Sequence, residues 1–239
     1  MKGVILADGS GTRLLPITRE INKHLLPVYS KPMIFHPVEK LKEAGITDIL
    51  IIVGHENAGG VLDLLGSGKE FGVKLTYKVQ DEPRGIANAL AAAEDFIENE
   101  KFIVLLGDNI FEENLKEAIE EFKNSEAQAK VFLKQVENPQ QFGVAEINEN
   151  RIINVEEKPQ NPKSNLIVTG IYMYSPDIFD IIRNLKPSAR GELEITDANN
   201  EYLRRGTMSF SILQGFWCDA GTFESLYKAT EFLQSKQKE

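Results

Sequence analysis

Val4-Ile5-Leu6-Ala7-Asp8-Gly9-Ser10-Gly11-Thr12-Arg13-Leu14 opens as a short, wholly apolar run, breaks into a glycine cluster and closes on Arg13 and Leu14. An uninterrupted apolar run of this length, closed by turn residues, predicts a strand buried on both faces that feeds a loop. Two later stretches repeat the pattern: DILIIVG at 48–54 and KFIVLLG at 101–107. VKLTYKV at 73–79 alternates instead, which places it nearer a sheet edge. Between these runs the spacing turns helical. Ile34, Val38 and Leu41 stand at i, i+4 and i+7 ahead of Gly45, with Pro37 implying a late start or a kink. Ile86, Leu90, Ala93 and Ile97 mark a second helix, and Leu115, Ala118, Ile119 and Phe122 a third. Strand and helix in alternation imply βαβ units around a mostly parallel sheet.

After about residue 128 the rhythm changes. Short strands are expected at 130–136, 143–147, 151–155, 167–174 and 208–213, with helices at 176–185, 194–204 and 222–234. The fold expected is α/β: a single-domain, Rossmann-like mixed sheet, mostly parallel with antiparallel additions and flanked by helices. It would comprise a parallel α/β front half at about 1–125 and a mixed back half with antiparallel additions at about 126–239.

Composition narrows the function. The chain has 239 residues, 42% of them hydrophobic and 26% charged, and a formal net charge of −9. The balance is globular, and the acidity argues against nucleic acid or an anionic membrane surface as partner. The one cysteine, Cys218, excludes an internal disulfide and a cysteine-based zinc cage. No apolar run is long enough for a membrane span or a secretory leader, so a cytoplasmic setting is expected.

The loop after the first strand carries the chemistry. Ligands of open α/β sheets bind beyond the carboxyl ends of the strands. Glycines there let backbone N–H groups approach phosphate, and Arg13 adds a permanently charged fork. A dinucleotide fingerprint would need a glycine at 14, where Leu14 stands, and no Gly-Lys-Ser/Thr of a P-loop is present. Lys23 precedes the apolar Leu25-Leu26-Pro27-Val28, whose packing would fix the lysine beside the loop.

Taken together, Gly9-Ser10-Gly11-Thr12-Arg13-Leu14, Pro16, and Lys23 with Leu25-Leu26-Pro27 resemble the signature of the sugar-1-phosphate nucleotidyltransferases. Residues 31–34 (KPMI), 77–80 (YKVQ), 106–109 (LGDN), 156–159 (EEKP) and 168–170 (VTG) extend the likeness. The stretch LKPSARGELEITD at 185–197 narrows it to the glucose-1-phosphate thymidylyltransferases, in their short form. The resemblance runs over essentially the whole chain and implies a nucleotide-binding half at about 1–125 and a sugar-binding half at about 126–239.

It implies transfer of a thymidylyl group from dTTP to α-D-glucose 1-phosphate, giving dTDP-glucose, the entry to dTDP-rhamnose, and pyrophosphate. Arg13, Lys23 and Lys158 would be catalytic. Mg²⁺ would be held by Asp108 and Asp219. Nucleotide and sugar would be bound by Asp8, Gly9, Ser10, Gly11, Thr12, His24, Gln80, Gly85, Asp108, Asn109, Gly143, Glu157, Val168, Thr196 and Trp217. A homo-oligomer, dimer or tetramer, is implied too. Apart from the resemblance, Asp108 reads as a strand-end residue bonding its own turn, and Asp219 as a helix cap near Thr222.

Three positions depart from the family. Asp8 stands where a glycine is usual, Arg84 where Gly or Asp is common, and His24 where the longer enzymes have Gln. A carboxylate at Asp8 would sit near the triphosphate. It therefore leaves open a weakly catalytic, ligand-binding or regulatory homologue. A uridylyltransferase using UTP also stays open, because thymine and uracil differ by one methyl.

Overall fold

The computed structural model describes every residue except Ser10, Glu82, Pro83, Lys238 and Glu239, and leaves the side chain of Asn57 undescribed. In chain order the elements are β1 (Lys2–Ala7), β2 (Pro27–Val28), β3 (Lys31–Pro32), α1 (Phe35–Glu43), β4 (Asp48–Gly54), α2 (Ala58–Leu65) and β5 (Lys74–Gln80). There follow α3 (Ile86–Ala91), α4 (Glu94–Ile97), β6 (Phe102–Leu106), β7 (Asn109–Phe111), α5 (Lys116–Asn124), β8 (Ala129–Gln135), β9 (Gly143–Asn148), β10 (Arg151–Glu157) and β11 (Leu166–Tyr174). The chain closes with α6 (Ile178–Asn184), α7 (Ile195–Arg205), β12 (Met208–Ile212), β13 (Trp217–Asp219) and α8 (Phe223–Lys236). No helix among the described residues is long and apolar enough to cross a membrane.

These elements gather into two compact units, and their boundary is not the cut at about residue 125 read from the sequence. The first unit takes Lys2–Pro83, Leu105–Lys116 and Gly215–Glu239; the second takes Met1, Arg84–Val104 and Glu117–Gln214. The chain thus leaves the first unit and returns to it twice. A composition shift along the sequence marks none of these crossings.

In the first unit β1, β4 and β5 run parallel in that order, with Ala7 opposite Val53 and Gly54 opposite Gln80. Val4, Ile5, Ala7, Ile49, Ile51 and Ile52 are all fully buried, which is why β1 and β4 read as unbroken apolar runs. β5 is the edge strand, and its exposed Val79 and Lys78 account for the alternation in its sequence. Pro37 falls in the first turn of α1, where its missing N–H costs no helical hydrogen bond. Helix α8 begins at Thr222, which accepts from the Ser225 backbone N–H (3.1 Å), while the Thr222 N–H donates to Ser225 Oγ (3.1 Å).

In the second unit β11 is buried from Ile167 to Tyr174 and pairs antiparallel with β8 on one side and β9 on the other. β10 adds antiparallel to β9, and β12 runs parallel to β8. Tyr172, Tyr174 and Tyr202 stack with centroids 6.0 and 5.9 Å apart, and the Tyr174 hydroxyl donates to Asn199 Oδ1 at 2.7 Å. The architecture is α/β with antiparallel additions, as the sequence implies. The helix expected over 86–97 is instead two, α3 and α4, separated by a turn at Ala92 and Ala93.

The cap of α8 is a local device with a measurable contribution. Thr222→Ala should lower unfolding free energy by about 1 kcal/mol, with Thr222→Ser near neutral, read as a shift of the urea midpoint at constant slope.

Candidate functional site

The loop after β1 owes its shape to Gly11, which has φ of 65°. A Cβ there would come within 2.9 Å of Thr18 Cγ2 and 3.2 Å of Lys23 Cβ, so no side chain fits. Thr18 Oγ1 donates to the Gly11 carbonyl at 2.7 Å, and the Leu14 N–H donates to the same oxygen at 2.8 Å. Leu14 is fully buried and anchors the far end of the loop, with Thr12 and Arg13 in the single turn between. Ser10, expected to bind substrate, lies outside the described residues.

Lys23 is buried beside this loop, as its packed flank led us to expect. Its ammonium group forms a short ion pair with Asp108 Oδ2. Asp108 follows β6 and is held from the other side, where Asn109 Nδ2 donates to its Oδ1 at 3.0 Å. Trp217 Nε1 donates in turn to Asn109 Oδ1 at 2.8 Å. Burial pushes the Asp108 carboxyl up, but the Lys23 charge and these hydrogen bonds outweigh it and hold the group well below the usual carboxylate range.

Asp219 reaches the same neighbourhood through backbone pairing. β13 runs antiparallel to β7 with Asp219 opposite Asn109, and the Ala220 N–H donates to the Asp108 carbonyl at 2.8 Å. Asp219 Oδ2 accepts from Arg13 Nη2 at 3.0 Å. Its Oδ1 is buried without a hydrogen-bond partner among the described residues. Burial, and then the Asp108 charge, raise its pKa against the opposing pull of Arg13 and Lys23. Arg13 itself stays half-exposed. The cap role that Asp219 could have played belongs to Thr222.

Three residues expected at the substrate also have a structural task. Asn109 and Trp217 are buried, and their polar groups brace Asp108. His24 is 1% exposed; its Nδ1 lies 2.8 Å from Asn22 Oδ1, and its Nε2 faces Gly107, where a Cβ would be 3.1 Å away. Burial, then the Lys23 charge, drop its pKa to about 3, so the ring is neutral and positions the Lys23 turn without reaching solvent.

Asp8 and Gln80 also lie in the first unit, at the carboxyl ends of β1 and β5. Asp8 is half-exposed, and burial pushes its carboxyl up to about 6 although Lys23 pulls it down.

The second unit assembles the sugar-side residues. Glu157 pairs with Gly143 across β10 and β9, and the Ile167–Val144 pairing brings Val168 opposite Gly143 from β11. Thr196 Oγ1 donates to Glu157 Oε2 at 2.6 Å. Lys158, at φ of 45°, keeps its Nζ 3.8 Å from Glu157 Oε1. Gly85, at φ of 97°, lies where a Cβ would meet the Leu193 carbonyl at 2.6 Å, and the Leu193 N–H donates to the Arg84 carbonyl at 2.8 Å. Gly85 and Gln80, read together as the base-binding pair, thus belong to different units.

Sequence reasoning missed Arg190. Its Nη2 lies 2.8 Å from Glu194 Oε1, 3.3 Å from Glu192 and 3.5 Å from Glu157, a second cation beside the Lys158 carboxylate partner. Its alternation with acids in Arg190-Gly191-Glu192-Leu193-Glu194 was a signal that could have found it.

A buried lysine–aspartate pair next to a glycine loop at a strand end is the layout of a phosphate-handling α/β enzyme, and residues 2–236 match the nucleotidyl transferase family. The chain belongs to that family. A glucose-1-phosphate thymidylyltransferase of Neisseria meningitidis is 49% identical over 99% of this chain and 84% of its own. A Bacillus anthracis structure assigned as the same enzyme, crystallised with a sucrose, is 55% identical with a TM-score of 0.93, covering 97% of this chain and 94% of that one. A UDP-glucose pyrophosphorylase complexed with UDP-glucose is 29% identical with a TM-score of 0.87, covering 98% of each chain. The protein is a nucleotidyltransferase, and Arg13, Lys23, Asp108 and Asp219 are the part of its expected machinery that the first unit brings together.

The buried imidazole gives a pH signature. The unfolded chain takes up a proton near pH 6.5 that folded His24 refuses until about 3, so stability falls as pH drops below 6.5. Between pH 6.5 and 5 the loss from this group is roughly 2 kcal/mol. Asp8 acts in the opposite sense over that range and, being half-exposed, offsets only part. Urea titrations at the two pH values should show His24→Gln with a clearly flatter dependence than the unmodified protein; equal slopes would remove His24 as the source.

Proposed function

We propose that the protein transfers a thymidylyl group from dTTP to α-D-glucose 1-phosphate, releasing pyrophosphate. The observation that carries the reading is the paired-charge cluster at the end of β1: Lys23 on Asp108 and Arg13 on Asp219, beside a loop that only glycine can form. The named relatives support the thymidylyl and glucose specificities.

Both substrates are polyanions, so the main task is to cancel repulsion and fix geometry. A sugar phosphate oxygen attacks the α-phosphorus in line, a P–O bond forms, and the bond to the β-phosphate oxygen breaks, with its electron pair leaving on pyrophosphate. The attacking phosphate is nucleophilic at neutral pH, so no base is required. Lys23, rigid and desolvated, would orient the α-phosphate. Arg13, half-exposed on its turn, would hold the leaving phosphates. Lys158 would hold the sugar phosphate, and Glu157, with Thr196 and the Gly143 and Val168 backbone, the sugar hydroxyls.

The donor set fits Mg²⁺. Asp219 Oδ1 is a buried carboxylate oxygen with no hydrogen-bond donor among the described residues, and Asp108 is held well below the usual carboxylate range by Lys23. Among the described residues no group of three or more His, Cys, Asp or Glu could cage a metal. A hard cation held by two carboxylates takes its remaining ligands from substrate phosphates and water. When bound, the ion would neutralise phosphate charge.

A UTP-using enzyme is the second reading, favoured by the likeness to the UDP-glucose pyrophosphorylase. One methyl group separates the two by only ~1–3 kcal/mol.

Pyrophosphate release from dTTP is expected to require both glucose 1-phosphate and Mg²⁺, and to outpace release from UTP. Lys23→Ala should reduce kcat/KM by about 10²-fold or more, and Asp219→Asn should raise the Mg²⁺ concentration needed. Equal pyrophosphate release with the sugar phosphate omitted would end the proposal.

A further inference from the structure

Asp8 stands in a row that the mechanism leaves unused. Ala7 pairs with Val53, so one step further along the parallel strands Asp8 falls opposite Gly54, and Gly54 pairs with Gln80. Residues in register on adjacent parallel strands share a face, and strands lie ~4.8 Å apart. Asp8 and Gln80 are therefore the two ends of a row roughly 10 Å wide, with a glycine between them.

The glycine matters sterically. Asp8 Oδ1 leans into the place a Gly54 Cβ would occupy, so any side chain at 54 would expel the carboxylate. The seat is built from three strand ends at the carboxyl rim of the parallel sheet, where α/β folds take their ligands.

Among the described residues the seated carboxylate has no hydrogen-bond donor, and the charge that pulls on it is that of Lys23, already paired with Asp108. A half-buried carboxylate without a donor is costly unless something supplies one. It is acceptor-only, so it cannot face the phosphates of a nucleotide. The donors a nucleoside triphosphate offers are its pentose hydroxyls and the polar edge of its base. An amide at Gln80 suits the base, and the Gly9–Arg13 loop suits the phosphates. Asp8 closes the row at the end away from Gln80 and leads directly into the glycine loop, so a nucleotide laid along the row with its phosphates on the loop would bring its pentose to Asp8.

We propose that Asp8 reads the pentose of the substrate nucleotide, its carboxylate accepting a hydrogen bond from the 3′-hydroxyl, with Gly54 supplying the space in which that carboxylate is seated and Gln80 marking the base end of the row. The assignment rests on the nucleotide reading of this site given above. It makes Asp8 a specificity-determining residue and explains how a carboxylate is accommodated next to a triphosphate loop.

The test measures kcat/KM for dTTP and for 3′-deoxythymidine triphosphate, with UTP and 3′-deoxyuridine triphosphate run in parallel, in the unmodified protein, Asp8→Gly and Asp8→Asn. A hydrogen bond to a charged group corresponds to a preference for the 3′-hydroxyl nucleotide of about tenfold or more. In Asp8→Gly the preference should fall to within about twofold of unity, through lost turnover of the hydroxylated nucleotide. Asp8→Asn, the same size and still an acceptor, should keep an intermediate preference, and it carries the test if the glycine variant melts at a markedly lower temperature. A preference equal in all three proteins, or a gain in dTTP turnover on removing the carboxylate, would overturn the assignment while leaving the nucleotidyl transfer standing. Failure of the unmodified protein to use any of the four nucleotides would overturn both.

Discussion

The ion pair between Lys23 and Asp108 is the constraint on which the rest of the first unit's chemistry depends. Both side chains are almost fully removed from water. Desolvating two charges costs several kcal/mol each, and their attraction repays this only with good geometry and further hydrogen bonds. The structure supplies them one after another: Asn109 on the second carboxylate oxygen, Trp217 on Asn109, and a neutral His24 packed beneath. Such a pair is poor as a stabiliser compared with an apolar filling of the same volume. Its value lies in holding an ammonium group at one point beside a glycine loop, already stripped of water and therefore a strong partner for an arriving anion.

The same economy of position explains the topology. β1 and β4 are buried on both faces, so their residues are committed to packing and their ends alone are free for chemistry. Asp8 follows β1, Gly54 ends β4, Gln80 ends β5 and Asp108 follows β6, so four candidate site positions come from one structural rule, the carboxyl rim of an α/β sheet. Asp219 is the exception. It is delivered by β13, a three-residue strand that pairs with β7 after the chain has traversed the whole second unit.

That contrast separates what the sequence discloses from what it hides. Buried strands such as β1, β4 and β6 are legible because every residue must be apolar, and the loop after β1 is legible because glycine and arginine there have few other uses. β7 and β13 are not, since three residues carry no period and their pairing spans more than a hundred positions. The tasks of Asn109, Trp217 and His24 were hidden for a related reason. Residue type announces that a group can hydrogen-bond, but burial decides whether it bonds substrate or braces a neighbour, and burial is a property of the folded chain. Arg190 was hidden in the opposite way: its three carboxylate neighbours include Glu157, which only the fold brings close.

The two aspartates carry a final consequence of environment. They are neighbours through the β7–β13 pairing, yet the site drives them apart. Asp108, with a full ammonium and an amide against it, is held well below the usual carboxylate range, whereas at Asp219 burial and the Asp108 charge outweigh the pull of Arg13 and Lys23 and raise the pKa. Of two carboxylates split in this way, one keeps its negative charge less firmly than the other. The looser one has the bare oxygen, Oδ1 of Asp219, and its single partner, Arg13, is the most accessible member of the cluster. An incoming phosphate would therefore draw Arg13 first. On the proposed reading, drawing that guanidinium away would leave Lys23 alone to oppose Asp108 at Asp219, and the two carboxylates would then hold a divalent ion more strongly.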